Sequence, residues 1–277
     1  MNGIWKVTTG VAAVILAGSQ LSGQTPAVGD TVHRSSKHLF TLDDAALGAA
    51  FAGLTIAMFP TDEEAAEHLP LASAPHGRFD SGVATGFELL ADPGSLIIGS
   101  SMYAIGKLTH HRELADVGLH GTESIVVGTG ITALLKGFAG RARPYASQGI
   151  DPRDWKFGGG FRSADRTSFP SGHTTTAFAA ASALTSEVSR LYPHEAWIAG
   201  SVLYSGATMV GVSRMYHNKH WASDVALGAA IGTFSGIKIV RYSHNHPGNH
   251  VDRRLLDVIV APNGFGGGIA EVSVPLH

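Results

Sequence analysis

The sequence predicts an all-α fold, a helical bundle of about six core helices with a short C-terminal β-hairpin-like tail. Three observations predict it. Apolar residues recur at three- and four-residue spacing through most of the chain, punctuating stretches separate those periodic runs, and β-prone segments around a turn signal occur only near the C-terminus. Of the 277 residues, 44% are apolar and 15% charged, against roughly a quarter charged in ordinary soluble domains.

The elements follow in order. Helices are expected over residues 43–58, over 82–109 with a break at Pro93, and over 119–139, then over 173–190, 195–213 and 220–241. Pro93 breaks the second because its ring removes a backbone donor and clashes with the preceding turn. Between the third and fourth lies GRARPYASQGIDPRDWKFGGGFRSADRTSFPSG, a connection too long and too rich in Gly, Arg and Asp to be a plain loop. The tail, LLDVIVAPNGFGGGIAEVSVPLH, sets two β-prone runs around Asn263-Gly264, which reads as a hairpin.

The domain organisation follows from these elements. Residues 1–23, with Lys6, an apolar run over 11–17 and the small residues Ala17, Gly18 and Ser19, read as a signal peptide or an N-terminal anchor. Residues 24–80 form an N-terminal extension with the first helix, 81–241 the helical core, and 242–277 a polar linker and the tail.

Composition excludes several function classes. A net charge of −2, with no basic stripe, excludes a nucleic-acid partner. The absence of cysteine excludes disulfides, thiolate nucleophiles and cysteine-ligated metal sites. Stretches free of Asp, Glu, Lys and Arg run over 93–106, 125–135, 167–186, 196–213 and 225–237, and only two of them reach the length of a bilayer crossing. The expectation is an exported protein, periplasmic rather than integral to the membrane, with membrane association left open.

Three clusters carry chemistry. Lys136 and Arg143-Pro144, at the end of the third helix, offer two cations suited to a tetrahedral oxyanion. Pro170-Ser171-Gly172-His173 leads directly into a helix, whose first backbone N–H groups make an anion site beside His173. The third is SRMYHNKHWASD, in which Arg214 closes one helix while His220 and Asp224, four residues apart, share a face of the next. A carboxylate on one imidazole nitrogen leaves the other fixed as nucleophile, base or ligand.

Together these residues resemble the signature of the phosphatidic acid phosphatase type 2 superfamily, which also contains bacterial acid phosphatases and vanadium haloperoxidases. The match covers roughly residues 120–240. The resemblance implies a bundle in which the three clusters converge, and a phosphoric monoester hydrolase that needs no metal and acts on phosphate monoesters or pyrophosphates. His220 would be the nucleophile giving a phosphohistidine, Asp224 its orienting partner and His173 the acid and then base. Lys136, Arg143, Ser171, Gly172 and Arg214 would hold the phosphate. The substrate would be a phosphorylated small molecule or a lipid phosphate. Two alternatives stay open: a vanadium-dependent haloperoxidase, with vanadate as cofactor rather than inhibitor, and a non-catalytic phosphate- or lipid-binding module.

Other residues read more plainly. His217 is expected as a loop or helix-end residue, and His244, His246 and His250 as a solvated linker rather than a zinc site. His110 and His111 close a helix, and TDEEAAEH is expected as a solvated helix start. Tyr145, Trp155, Phe157 and Phe161 are candidate apolar contacts at the site's mouth, or packing.

Overall fold

A computed structural model describes residues 39–69, 78–148, 150–256, 258–262 and 268–272. The expected leader over 1–23 lies outside them. The helices are α1 (Leu42–Met58), α2 (Asp62–His68), α3 (Arg78–Leu89), α4 (Ser95–Leu108), α5 (Arg112–Ala139), α6 (Gly172–Leu191), α7 (Ala196–Tyr216), α8 (Ala222–Asn245) and α9 (His250–Leu256).

Local chemistry explains the helix ends. Thr41 and Asp44 form a reciprocal capping box at the start of α1, with the Thr41 N–H donating to Asp44 Oδ2 at 2.7 Å. The expected break at Pro93 falls in a π-helical turn, Leu90–Gly94, where Asp92 leaves helical geometry and separates α3 from α4. Gly140 ends α5 at φ +61, a left-handed conformation that costs glycine nothing. Between α7 and α8, Asn218 adopts φ +56, which asparagine tolerates better than most residues, and the chain turns back within five residues.

Helix α6 is the central element and packs against α5, α7 and α8. Sequence explains how closely α8 approaches it. Gly228, Gly232 and Gly236 stand at four-residue spacing on one face of α8. A Cβ at Gly232 would lie 2.8 Å from Ala179 N, and one at Gly236 would lie 2.6 Å from Ala183 N. The α6 backbone therefore rests in a groove that any larger residue would fill. On the other side of α6, Phe178 is 2% exposed and packs against Tyr204 with ring centroids 5.9 Å apart, within a cluster that includes Leu47, Phe51 and Val210.

The expectation of a periplasmic rather than membrane-integral protein is overturned. Three helices are long and apolar enough to cross a membrane, Leu42–His68, Ala196–Tyr216 and Ala222–Asn245. Leu42, Ile56, Ile97, Ile105, Leu134 and Val202 all point outward and are more than half exposed, an apolar exterior suited to lipid. Counting uncharged stretches found the span over 196–213 but undercounted the other two, because charges within them are neutralised in pairs. Asp44 on α1 is paired with Lys238 and, at 2.7 Å, with Arg241 on α8, while Asp62 is paired with Arg141 at 2.6 Å.

The packed body is all-helical. Beyond α9, Val258–Pro262 and Gly268–Val272 pair antiparallel with Val258 opposite Val272. The expected Asn263-Gly264 turn lies outside the described residues, and the hairpin as a unit stays an expectation.

Candidate active site

The three sequence clusters meet at one end of the bundle, where α5 ends and α6 and α8 begin. Position alone brings Lys136, in the last turn of α5, to Gly172 at the start of α6; a Cβ at Gly172 would lie 3.6 Å from Lys136 Cε. Lys136 Nζ donates to Thr167 O at 2.6 Å, and Arg143 Nη2 donates to Thr167 Oγ1 at 3.1 Å, so the long connection holds both cations on one strut.

Ser171 is fully buried; its N–H donates to Asp224 O at 2.9 Å and its hydroxyl accepts from Thr174 at 2.8 Å. It ties the start of α6 to the first turn of α8 without capping α6 through its side chain. The first N–H groups of α6, at Gly172 and His173, have no intrahelical partners by position, and Gly172 stands beside the Lys136 side chain.

His220 is 3% exposed, with Nδ1 3.5 Å from Asp224 Oδ2, at the outer limit of a hydrogen bond. Asp224 is itself fully buried and held by other donors: Arg141 Nη1 at 2.6 Å, Ser168 Oγ at 2.5 Å and the Trp221 N–H at 2.9 Å. This bracing fixes the carboxylate that faces Nδ1 and leaves Nε2 as the free ring nitrogen. Burial, reinforced by Lys136 and Arg143 and opposed by Asp224, pushes the His220 imidazole down to about 3. Burial and the Arg214 charge push His173 down to about 4. Both rings are therefore neutral at pH 7 while the cage holds no anion.

Sequence reasoning missed three residues of this site. Arg141, two positions before Arg143, is fully buried and spreads its guanidinium between Asp224 and Asp62, each at 2.6 Å, with Ser223 Oγ accepting at 2.8 Å and Pro152 O at 2.8 Å. It was legible only as a third cation in GRARP. Asp62, read as part of a solvated helix start, is fully buried and accepts from the Ser223 N–H at 2.8 Å. Glu88 on α3 is paired with Arg214 and with His217 Nδ1 at 3.0 Å, and lies 3.8 Å from His173 Nε2. No local signal marked Asp62 or Glu88, because their partners are far away in sequence. His217, expected only as a helix-end residue, ends α7 and joins this group.

The aromatic residues of the long connection divide. Trp155 packs over the Arg141 guanidinium, 4.8 Å from its carbon, and Phe161 packs edge-on against Phe138 at 5.1 Å, so both are structural. Tyr145 stands at the surface beside Lys219, with its hydroxyl donating to Asp165 at 2.7 Å, and Phe157 is 84% exposed.

The profile of the PAP2 superfamily matches residues 119–247, a span that holds every one of the sequence-predicted site residues. The chain belongs to the PAP2 superfamily. Among solved PAP2 structures, the transmembrane phosphatidylglycerolphosphate phosphatase from Bacillus subtilis superposes with a TM-score of 0.53 at 20% identity, covering 76% of this chain and 100% of that one. That likeness shows the shared helical fold. Aquifex aeolicus LpxE is a looser likeness, with a TM-score of 0.43 at 22% identity over 61% of this chain and 89% of that one. A lipid A 1-phosphatase of Porphyromonas gingivalis is 46% identical over 69 residues, which make up 25% of this chain and 15% of that relative. The chain therefore matches only a small part of the relative's length.

Proposed function

We propose that this PAP2 protein is a membrane-embedded lipid phosphate phosphatase that hydrolyses a phosphate monoester on a lipid headgroup through a phosphohistidine. The observation that carries the lipid part is an apolar cavity of about 340 Å³ between α4, α5, α6 and α7, lined by residues such as Ile98, Met102, Ile125, Leu184, Leu203 and Gly206. It approaches the cage at Leu90 and Val210, two and four residues from Glu88 and Arg214. Such a cavity suits an acyl chain whose phosphate lies in the cage. The names of the relatives agree with this class, a lipid A phosphatase and a phosphatidylglycerolphosphate phosphatase.

The geometry supports the following chemistry. The cations Lys136, Arg143 and Arg214, with the first N–H groups of α6, hold the equatorial phosphate oxygens and stabilise charge as it builds. His220 Nε2 attacks phosphorus, forming a P–N bond as the P–O bond to the lipid breaks. Asp224 steadies the positive ring through Nδ1, a contact that shortens as charge appears. His173, protonated under the field of the bound dianion, gives its proton to the leaving alkoxide. Neutral His173 then takes a proton from water as water attacks phosphorus, the P–N bond breaks and phosphate leaves. Arg141 and Asp62 touch no reacting atom and act by positioning Asp224.

The test is phosphate release from phosphatidic acid, phosphatidylglycerol phosphate and p-nitrophenyl phosphate by detergent-purified protein, beside His220→Ala. Turnover lost in the variant, with kcat/KM for a lipid at least tenfold above p-nitrophenyl phosphate, is expected. Equal turnover in both proteins overturns the histidine assignment; bromide oxidation by peroxide with added vanadate, without phosphate release, replaces it by the haloperoxidase reading.

A further inference from the structure

We propose a divalent-metal site, best suited to zinc, formed by His120, Glu187 and His244 at the end of the bundle away from the phosphate cage. Three helices supply it, α5, α6 and α8. His120 Nδ1 lies 2.6 Å from Glu187 Oε1, and His244 Nε2 lies 2.8 Å from the same oxygen. The ligand atoms of all three residues fall within 4.8 Å of one another. The two imidazole rings stand perpendicular, at 89°, with centroids 5.2 Å apart, as two rings pointing at one ion can.

The surroundings point the same way. The remaining nitrogen of His120, Nε2, is buried with no hydrogen-bond partner among the described residues and faces Asp252 Oδ2 at 3.5 Å. A metal-bound histidine characteristically directs its other N–H at a carboxylate, which fixes its tautomer. Asp116 Oδ1 and Glu123 Oε1 are also buried acceptors without a donor among the described residues. Four carboxylates thus gather around two imidazoles, with Arg190 Nε at 3.4 Å from Glu187 and Arg112 near Asp116 as further cations. A divalent cation satisfies that excess of acceptors and leaves both imidazoles neutral. Two nitrogens and a carboxylate match a four-coordinate zinc site completed by a second carboxylate oxygen or water.

The role that follows is structural. Lys136 lies sixteen positions beyond His120 on α5, about 24 Å along the axis, so the ion is remote from the chemistry. It would clamp α5, α6 and α8 at one end while the catalytic groups of the same helices converge at the other. His244, set aside in the sequence with His246 and His250 as linker, is recruited because α8 continues to Asn245 and carries it back to Glu187.

The experiment is elemental analysis of protein purified through a tag without histidine, combined with thermal unfolding in detergent. About one zinc per chain is expected, with an unfolding midpoint that rises when zinc is added. His244→Ala, whose side chain is 24% exposed in the parent, is expected to lose the metal and the zinc response while retaining phosphate release. Cobalt loading of the parent should give the visible absorption of a tetrahedral site, a readout that stands even where a variant fails to fold. Absence of metal, of a zinc-dependent midpoint and of the cobalt band in the parent overturns the site and leaves a hydrogen-bonded cluster of imidazoles and carboxylates. Equal zinc in the parent, His244→Ala and Glu187→Gln overturns it as well.

Discussion

Glu88 and Arg214 form an ion pair across the mouth of the phosphate cage, and the same carboxylate reaches His217 at 3.0 Å and stands 3.8 Å from His173. In the proposed mechanism Glu88 therefore competes with an oxygen of the substrate phosphate for Arg214. Substrate must displace it, since two anions on one guanidinium repel.

Glu88→Gln removes the competing charge while keeping the side-chain shape. We expect KM and the inhibition constants of phosphate and vanadate to fall about three- to tenfold, with kcat changing less. Steady-state kinetics with vanadate as competitor checks this, and weaker vanadate binding in the variant would assign Glu88 to supporting Arg214 instead.

Arg141 is a positioning residue, and its effect should split from that of a phosphate ligand. Arg141→Lys leaves Asp62 and Asp224 with one donor group in place of a fork. The expected loss is about 3 kcal/mol of stability, read by thermal unfolding, together with a fall in kcat and little change in KM. A raised KM at unchanged kcat would place Arg141 among the phosphate ligands.

The pH dependence follows from the two depressed histidines. His220, held down to about 3, stays neutral and nucleophilic well below the pH at which a free imidazole protonates. His173, held down to about 4 by burial and the Arg214 charge, carries its proton at neutral pH when bound phosphate raises it. The kcat/KM profile, which reports the free enzyme, should peak on the acid side of the kcat profile, with kcat highest around pH 5 to 7 and its alkaline limb absent in His173→Gln. Activity rising steadily to pH 9 contradicts this assignment.

Gly206 lines the apolar cavity and has open space where a side chain would stand. Gly206→Leu should fill part of the cavity without disturbing the backbone. The expected outcome is a drop of about tenfold in kcat/KM for long-chain lipid phosphates and no change for p-nitrophenyl phosphate. Equal effects on both substrates would remove the cavity from substrate binding.

Gly232 tests the bundle rather than the chemistry. Gly232→Val forces a branched side chain against Ala179 N and Phe178 Cβ, both 2.8 Å from its Cβ position. A loss of about 1–3 kcal/mol is expected, seen as a lower unfolding midpoint in detergent.

The sequence by itself determined the helices and named the residues that the proposed mechanism uses. Periodicity over three and four residues placed most helix ends to within about four positions, because it is set by local backbone geometry, although α5 starts at Arg112, well before the expected 119. Lys136, Arg143, Ser171, Gly172, His173, Arg214, His220 and Asp224 were legible because each motif is short and sits at a helix end.

What only the tertiary structure decided depends on partners far apart in the chain. Asp62 read as part of a solvated helix start, and nothing in the sequence paired Asp44, until Arg141, Lys238 and Arg241 came to meet them; with those pairs formed the same helices are fit to cross a membrane. Glu88 joined the cage, and His120, Glu187 and His244 met at the opposite end, through helix packing alone. A charge or a ligand is defined by its surroundings, and in a helical bundle those surroundings come from other helices.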